Sequence, residues 1–334
     1  MSARELLSLL ADGAVHSGEE LAATLAISRA GAWKHVERLR ELGIEVIAQP
    51  RAGYRLEAPL ELLDAEAIRK ELDARRRSRL ARLDVRFEVD STNTRLLEDE
   101  RPPAGCAFAM LAELQTRGRG RRGRAWIAPF GHALALSLSW SFQESPRDLP
   151  ALSLAAGVAA ARALARVGAR GVRLKWPNDI WFEDRKMGGI LLELRGEGAG
   201  PTFVVVGLGL NVSLAPQGLA GLPAGAVMPA SVAQACGRVP SRNALAGALI
   251  DELLEALAVF EQSGFSSFDA EWRELDALRG RAARVLLGEQ EFTGTALGID
   301  HDGGLLLSVA GTSRKFVSGE ASLRPVPARR PAPP

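Results

Sequence analysis

Apolar residues recur at intervals of three and four through the first sixty positions, the spacing that sets one face of a helix against a core. "ARELLSLLADG" keeps that spacing until Gly13. "HSGEELAATLA" opens on Ser17 with Glu20 three residues later, the pattern of a capping box. A third run, "SRAGAWKHVERLRELG", turns Ala32, Val36 and Leu39 inward and stops at Gly43. "IEVIAQPRAGYRLEAP" then reads as strand, basic turn and strand. Three short helices and a hairpin predict a winged helix-turn-helix over residues 1–62, whose third helix can enter a DNA major groove. Ser28 begins that helix, Arg29, Lys34 and Arg38 lie on its outer side, and Arg51 sits at the wing tip. These five are the candidate DNA contacts. The competing reading is a charged, solvated face on a small protein-docking domain.

"LELLDAEAIRKELDARRRSRLARL" follows as a helical linker whose basic run, Arg75 to Arg79, is expected to be merely solvated. Strand patterns come next in "DVRFEVDSTN", "GCAFAMLAELQTR", "HALALSLSWSF", "VRLKWPNDIWF", "MGGILLELRGE" and "TFVVVGLGLNVSL". The Ala-rich "ALSLAAGVAAARALARVG" is a long helix, and "SRNALAGALIDELLEALAVFEQ", capped by Ser241, pairs with "FSSFDAEWRELDAL". Strands clustered apart from helices predict an α+β domain with a mixed sheet over 63–279. From Arg281 the texture becomes short strands and Gly-containing turns such as "HDGG", which predicts a small SH3-like β-barrel over 280–326. The Pro-rich tail, 327–334, is expected to be disordered.

Composition narrows the partners. The 334 residues are 47% apolar, enough for a sizeable core, and the net charge of +2 makes any anion site local. Cys106 and Cys236 stand far apart without a CxxC, which suits a reducing cytoplasm and offers no zinc site. The four histidines are scattered, and no metal ligand is assigned to any side chain. "MSARELLSLLADG" has no long apolar run, so neither a signal peptide nor a membrane partner is expected.

Against that neutral background, "QTRGRGRRGRAW", Gln115 to Trp126, packs five arginines and three glycines into twelve residues. Gly118, Gly120 and Gly123 match G-x-G-x-x-G, but Pro129 and Gly131 interrupt the helix a dinucleotide site needs, and no acidic residue follows at the required strand end. No G-K-[ST] follows either, so a Walker loop is excluded. What survives is a backbone rich in N–H donors that carries guanidinium groups suited to carboxylate and phosphate. Such a loop is expected to be disordered when empty and ordered around an anion.

Two further clusters share this polar character. In "KWPNDIW", Pro177 fixes a turn between strands, and Asn178 and Asp179 can point at its mouth. Lys186 follows, with Gly188 and Gly189 behind it. "DSTNT", Asp90 to Thr94, closes the first strand of the central domain with small hydrogen-bonding side chains.

In order and spacing, "DSTN", "QTRGRGRRGRAW", "KWPNDIW…DRKMGGILLE", "GLGLNV" and "GEASLR" resemble the biotin-protein ligase family, and the N-terminal winged helix resembles its bifunctional members, which also repress biotin-synthesis operons. The resemblance implies that biotin's carboxylate attacks the α-phosphate of ATP and that a lysine of a biotin carboxyl carrier protein then takes the biotinyl group. It implies that Ser91, Thr92, Asn93 and Gln115 hold biotin, aided by Gly118 and Gly189, and that Arg119, Gly120 and Arg121 cover carboxylate and phosphate. It further implies that Lys186 spans both anions and that Trp126, Asn178, Asn211 and Arg324 serve the nucleotide. The resemblance also implies that Mg²⁺ screens the triphosphate and that Asp179 orients or deprotonates the incoming amine. As partners it implies operator DNA and a homodimer formed with the adenylate bound.

This sequence departs from the family's pattern at two positions. Trp33 and Arg117 stand where the pattern has small residues, and nothing in "GLPAGAVMPASV" is assigned to adenine. A non-catalytic biotin sensor, a lipoate-protein ligase and an Arg/Gly-rich nucleic-acid binder are the rival readings. The last would need aromatics beside the loop, where only Trp126 stands.

Overall fold

The computed structural model describes residues 3–144, 146, 148–195, 202–215, 228–317 and 322–325. The expected disordered tail, and most of "GLPAGAVMPASV", lie outside these residues. The first unit holds helices α1 (Ala3–Leu10), α2 (Gly18–Thr24) and α3 (Arg29–Glu41) and a hairpin of β1 (Val46–Gln49) with β2 (Gly53–Leu56). Its core is Leu6, Leu7, Leu10, Leu21, Ala32, Val36 and Leu39, all fully buried as their spacing predicts. Ser17 caps α2 by accepting from the Glu20 N–H at 3.0 Å, but the Glu20 side chain turns to His16, so only half of the capping box forms. The core continues onto Leu60, Phe87 and Phe130, which seats the winged helix on the central domain.

The linker forms two short helices, α4 (Ala65–Lys70) and α5 (Ala74–Arg77). Its basic run is not simply solvated, which corrects the sequence reading. Arg76 reaches the buried Asp251 carboxylate at 2.8 Å and also Glu252 and Glu255, while Arg77 donates to the Leu72 carbonyl. Arg166 approaches the same Asp251 at 2.6 Å. A second tie is the buried pair Arg242–Glu113 at 2.8 Å, whose Glu113 also accepts from the Leu63 N–H. The periodicity of the linker does not show the acidic partners, because Asp251, Glu252, Glu255 and Glu113 lie far along the chain.

The central sheet has seven strands in the order β3-β4-β5-β9-β8-β7-β6. They are β3 (Leu80–Val89), β4 (Ala107–Gln115), β5 (Ala133–Ser141), β6 (Val172–Lys175), β7 (Asp179–Phe182), β8 (Arg185–Arg195) and β9 (Phe203–Asn211). Only β3 and β4 are parallel, joined through α6 (Thr92–Glu98), so the sheet is mixed. "DSTN" is therefore not the end of a strand: the strand stops at Val89 and Ser91 caps α6.

One face of the sheet is covered by α7 (Leu152–Arg166), α9 (Arg242–Ser263) and α10 (Ser266–Leu275), with the short α8 (Val232–Cys236) beside them. Residues Leu149–Arg166 are long and apolar enough to cross a membrane by composition, yet they are mostly buried inside this core. On the opposite face, Leu96 of α6 packs on Phe108, Met110, Phe203 and Val205. The period-two alternation of strands turns Ser137, Gly189, Leu191, Glu193, Gly207 and Gly209 to that second face as well.

The C-terminal unit is an antiparallel five-stranded sheet ordered β13-β12-β11-β10-β14. Its strands are β10 (Ala282–Leu287), β11 (Gln290–Ile299), β12 (Leu305–Val309), β13 (Thr312–Phe316) and β14 (Ser322–Pro325). Its apolar residues join the core of the central domain, and two polar contacts fasten it there as well. The Trp176 indole donates to the Gly303 carbonyl at 3.0 Å, and Arg281 grips Asp184 through both guanidinium nitrogens at 2.6 and 2.8 Å.

Candidate active site

At the polar end of the site, Ser91 adopts an extended backbone and caps α6, which brings Thr92 and Asn93 to the first turn, buried beside the end of β4. The Thr92 N–H and hydroxyl both donate to Gln115 Oε1, at 2.8 and 3.1 Å. Ser137, fully buried in mid-β5, lies 2.6 Å from Thr92 Oγ1 and 2.5 Å from Asn93 Oδ1. Asn93 lies flat against the backbone of Gly207, where a Cβ would overlap its carboxamide. Glycine is required there by close approach.

The glycine–arginine loop between β4 and β5 folds back on itself. Gly120 N–H donates to the Arg124 carbonyl at 2.7 Å and Trp126 N–H to the Gly118 carbonyl at 2.9 Å. Arg122 and Gly123 take φ of 58° and 71° at the tip, the left-handed region that glycine adopts at little cost. Trp126 then lies on Gly209, whose missing Cβ makes room for the indole, with Lys186 Nζ 5.8 Å from the ring centroid. Its Nε1 is buried and has no partner among the described residues. A buried N–H of that kind costs free energy until an acceptor reaches it.

The cationic end is built by the β6–β7 hairpin, where Lys175 and Asp179 face each other across the turn. Asp179 gives one oxygen to Lys186 at 2.6 Å and the other to Lys175 at 3.0 Å. Burial pushes its carboxyl up, but the two ammonium groups outweigh burial and hold it below the usual carboxylate value. Asn178 donates to the Ile190 carbonyl at 2.6 Å and accepts from Arg121 at 3.1 Å. Burial, helped by Arg122 and Arg124 and opposed by Asp179, holds the Arg121 guanidinium below its ordinary value. Arg121 makes no ion pair among the described residues, whereas Arg119 meets Glu193 at 2.8 Å. A guanidinium in the state of Arg121 can accept an anion as partner.

These parts enclose one cavity of about 670 Å³, lined by Ser91, Thr92, Asn93, Gln115, Arg119, Gly120, Arg121, Trp126, Asn178, Asp179, Lys186 and Gly189. It can hold two anions side by side against fixed cations, with a polar pocket at one end and an aromatic wall at the other. Not every expected residue lines it. Gly118 forms the root of the loop, packed against the Trp126 carbonyl. Asn211 donates to the Ala230 carbonyl beside the cavity. For Arg324 only the backbone is described, paired with Arg284.

Ser137, Lys175, Glu193, Asp184 and Arg284 also belong to this neighbourhood and were missed in the sequence reading. Ser137 alone left a readable trace, a polar residue at period two inside the apolar strand "ALALSLSW".

The candidate DNA contacts form a separate surface. Ser28 spends its hydroxyl on the Gly31 N–H, Arg29 pairs with Glu19, and Arg38 pairs with Glu41 and with Glu88 of β3. Lys34 and Arg51 are exposed, and Trp33, 52% exposed, does face outward.

Three family descriptions match parts of the chain: HTH domain over residues 3–55, Biotin/lipoate A/B protein ligase family over 86–211, and Biotin protein ligase C terminal domain over 280–324. The chain is 40% identical over 320 residues, 96% of both proteins, to the bifunctional ligase/repressor BirA of Escherichia coli K12. It is 30% identical to the protein of that name from Bacillus subtilis, over 92% of this chain and 93% of that one. Among solved structures it resembles a biotin protein ligase from Aquifex aeolicus in complex with biotin and ATP. That likeness has a TM-score of 0.62 and 28% identity, and covers 74% of this chain and 100% of the other.

Proposed function

The chain belongs to the family of bifunctional biotin ligase/repressors, and on that premise we propose how the cavity performs the ligase reaction. The protein is a biotin-protein ligase that uses biotin and ATP, and it carries a helix-turn-helix of the DNA-binding kind. The observation that carries the assignment of the site is the single cavity in which the Ser91–Thr92–Asn93–Gln115 pocket, the arginine loop and Lys186 meet.

Biotin's fused rings enter the polar end, where Thr92, Asn93, Gln115 and Ser137 offer a hydrogen-bonding lining. Its carboxylate then lies toward Lys186 and Arg121. The carboxylate oxygen attacks the α-phosphorus of ATP, a C–O–P bond forms, and pyrophosphate leaves with the electron pair of the broken P–O bond. Lys186 and Arg121 balance charge on the phosphoryl oxygens, a stabilisation that is strongest where donors are held in place beforehand. Trp126 walls the nucleotide end, and its buried indole N–H is available to an acceptor there. In the second step an acceptor lysine amine attacks the biotinyl carbonyl, AMP leaves, and the amide remains on the carrier protein. Asp179, its two oxygens held by Lys175 and Lys186, offers the incoming amine a fixed negative charge that orients it.

The carboxylates lining the cavity, Asp179 and Asp184, are already taken by Lys175, Lys186 and Arg281. With these carboxylates holding cationic partners, Mg²⁺ carried in on the triphosphate would supply charge neutralisation there.

Repression follows from the same intermediate. A single winged helix reads a short half-site, so specificity needs a dimer on a two-fold operator. The adenylate favours the assembly-competent state by binding it better.

Biotin-dependent exchange of labelled pyrophosphate into ATP, followed by transfer to a carrier lysine, tests the ligase reading. Biotin binding with no exchange would make the protein a non-catalytic sensor. Sedimentation and titration of the protein's own biotin-gene promoter, with and without adenylate, test the second. A dimer indifferent to the adenylate would remove it.

A further inference from the structure

Glu193 receives no role in the reading above, yet it holds the most connected position on the cavity face of β8. Its Oε2 accepts from Asn93 Nδ2 at 2.9 Å and from Arg119 Nη2 at 2.8 Å. The Asn93 amide nitrogen also donates to the Leu191 carbonyl at 3.2 Å, while its oxygen faces Ser137 at 2.5 Å. With Gly207 beneath it, Asn93 is held on three sides, and Glu193 together with the Leu191 carbonyl sets which end of the carboxamide faces Ser137. Reversing the amide would set an N–H₂ against Ser137 and its oxygen against a carboxylate. The Glu193 carboxylate forbids that arrangement electrostatically.

The same oxygen reaches across to the arginine loop. Arg119 is 42% exposed and Glu193 24% exposed, so solvent weakens the pair without removing it. It nevertheless differs from Arg121 and Lys186. The charge of Arg119 is already balanced by the protein, so it adds little to holding a second anion. Its planar fork suits a positional tie to a carboxylate.

We propose that Glu193 is a positioning residue that yokes the arginine loop to the biotin pocket. A single carboxylate oxygen sets the Asn93 amide and ties down Arg119, so loop closure and head-group recognition are mechanically one event. Arg119 in this arrangement is a strap and Arg121 the anion's cation, which divides between them a role that sequence alone assigned to both. The inference rests on the ligase reading, because its readout is retention of the adenylate.

The test is a double-mutant cycle on adenylate release. Glu193→Gln keeps the volume and an acceptor for Asn93 but removes the charge that holds Arg119. It should speed escape of the adenylate about tenfold, the scale of weakening one charge-assisted hydrogen bond. The KM for ATP and the melting temperature should stay near wild type, since Glu193 meets Asn93 and Arg119 rather than Lys186 or Arg121 and is partly exposed. Glu193→Ala should in addition raise the KM for biotin, because the Leu191 carbonyl alone then orients the Asn93 amide nitrogen. In an Arg119→Ala background, Glu193→Gln should change escape little, the non-additivity expected of a shared contact. Equal acceleration in both backgrounds, or none in either, would overturn the inference while the ligase reading stood. Failure of the wild-type protein to make any adenylate would remove both.

Discussion

Two arginine runs of similar density, "ARRRSR" at 74–79 and "RGRGRRGR" at 117–124, meet opposite fates. In the first, Arg76 is drawn into carboxylates of α9 and Arg77 closes on a carbonyl of its own linker. In the second, three glycines keep the backbone out of an α-helix, and the loop bends over a cavity in which Arg121, among the described residues, hydrogen-bonds the neutral Asn178 and makes no ion pair. The side chains are the same, and what differs is the chain that carries them and the charge that awaits them. Arginine density therefore says nothing about function. An arginine that the protein leaves without a counter-charge does.

The contrast breaks most sharply if the loop side proves structural. Lys186→Ala should slow adenylate formation about a thousandfold, the scale of losing a preorganised donor at developing charge. Its melting temperature should fall only slightly, because Lys186 is half exposed and Lys175 still partners the buried Asp179. Pyrophosphate exchange beside a thermal melt checks this. A variant that lost stability and activity together would erase the distinction between the two runs.

On the other side, Asp251→Ala should cost about 2 kcal/mol of stability, since the Asp73 N–H loses its acceptor and Arg76 and Arg166 lose the buried carboxylate they share, keeping Glu252. Turnover per folded molecule should be unchanged. Urea unfolding paired with exchange kinetics measures both, and loss of turnover at full folding would mean the linker network reaches the cavity.

A smaller effect lies in pH. Asp179 has its carboxyl depressed in the folded state, so its contribution is fully present above the ordinary carboxylate value, about 4. That contribution is lost as pH falls through the lower folded value. Asp179→Asn should therefore be less stable than wild type at pH 7, and the gap should close in acid. A gap constant from neutral pH to pH 3 would show that Asp179 is not ionised between its two lysines.

Smallest of all are the single charges of the winged helix. Lys34→Ala should lower the salt dependence of DNA binding by about one unit of slope. Arg29→Ala should do less, because Glu19 already competes for its charge. Titrations at several salt concentrations separate them, and equal slopes would mean that neither residue faces phosphate.

Much of this could be read from the chain. The winged-helix core followed directly from its three- and four-residue spacing, and Ser91, Gln115, Arg121 and Lys186 do meet in one cavity. What stayed illegible depended on distant partners. Nothing near Glu193 says that β8 lies beside Asn93, and nothing near Arg76 says that Asp251 waits across the fold. Alternation shows that a residue faces away from a core, but only the strand order shows what it faces instead.

The fastening of the C-terminal sheet changes how loss of the site should be imagined. Trp176, one residue from the turn that carries Asn178 and Asp179, hangs from Gly303, and the tight turn before Lys186 is clamped by Arg281. The floor of the cleft thus has two owners, one in each domain. Heat or a protease need never touch the cleft to disable it. Letting go of the last domain would slacken the hairpin beneath the substrates, and the enzyme would age from its far end inward.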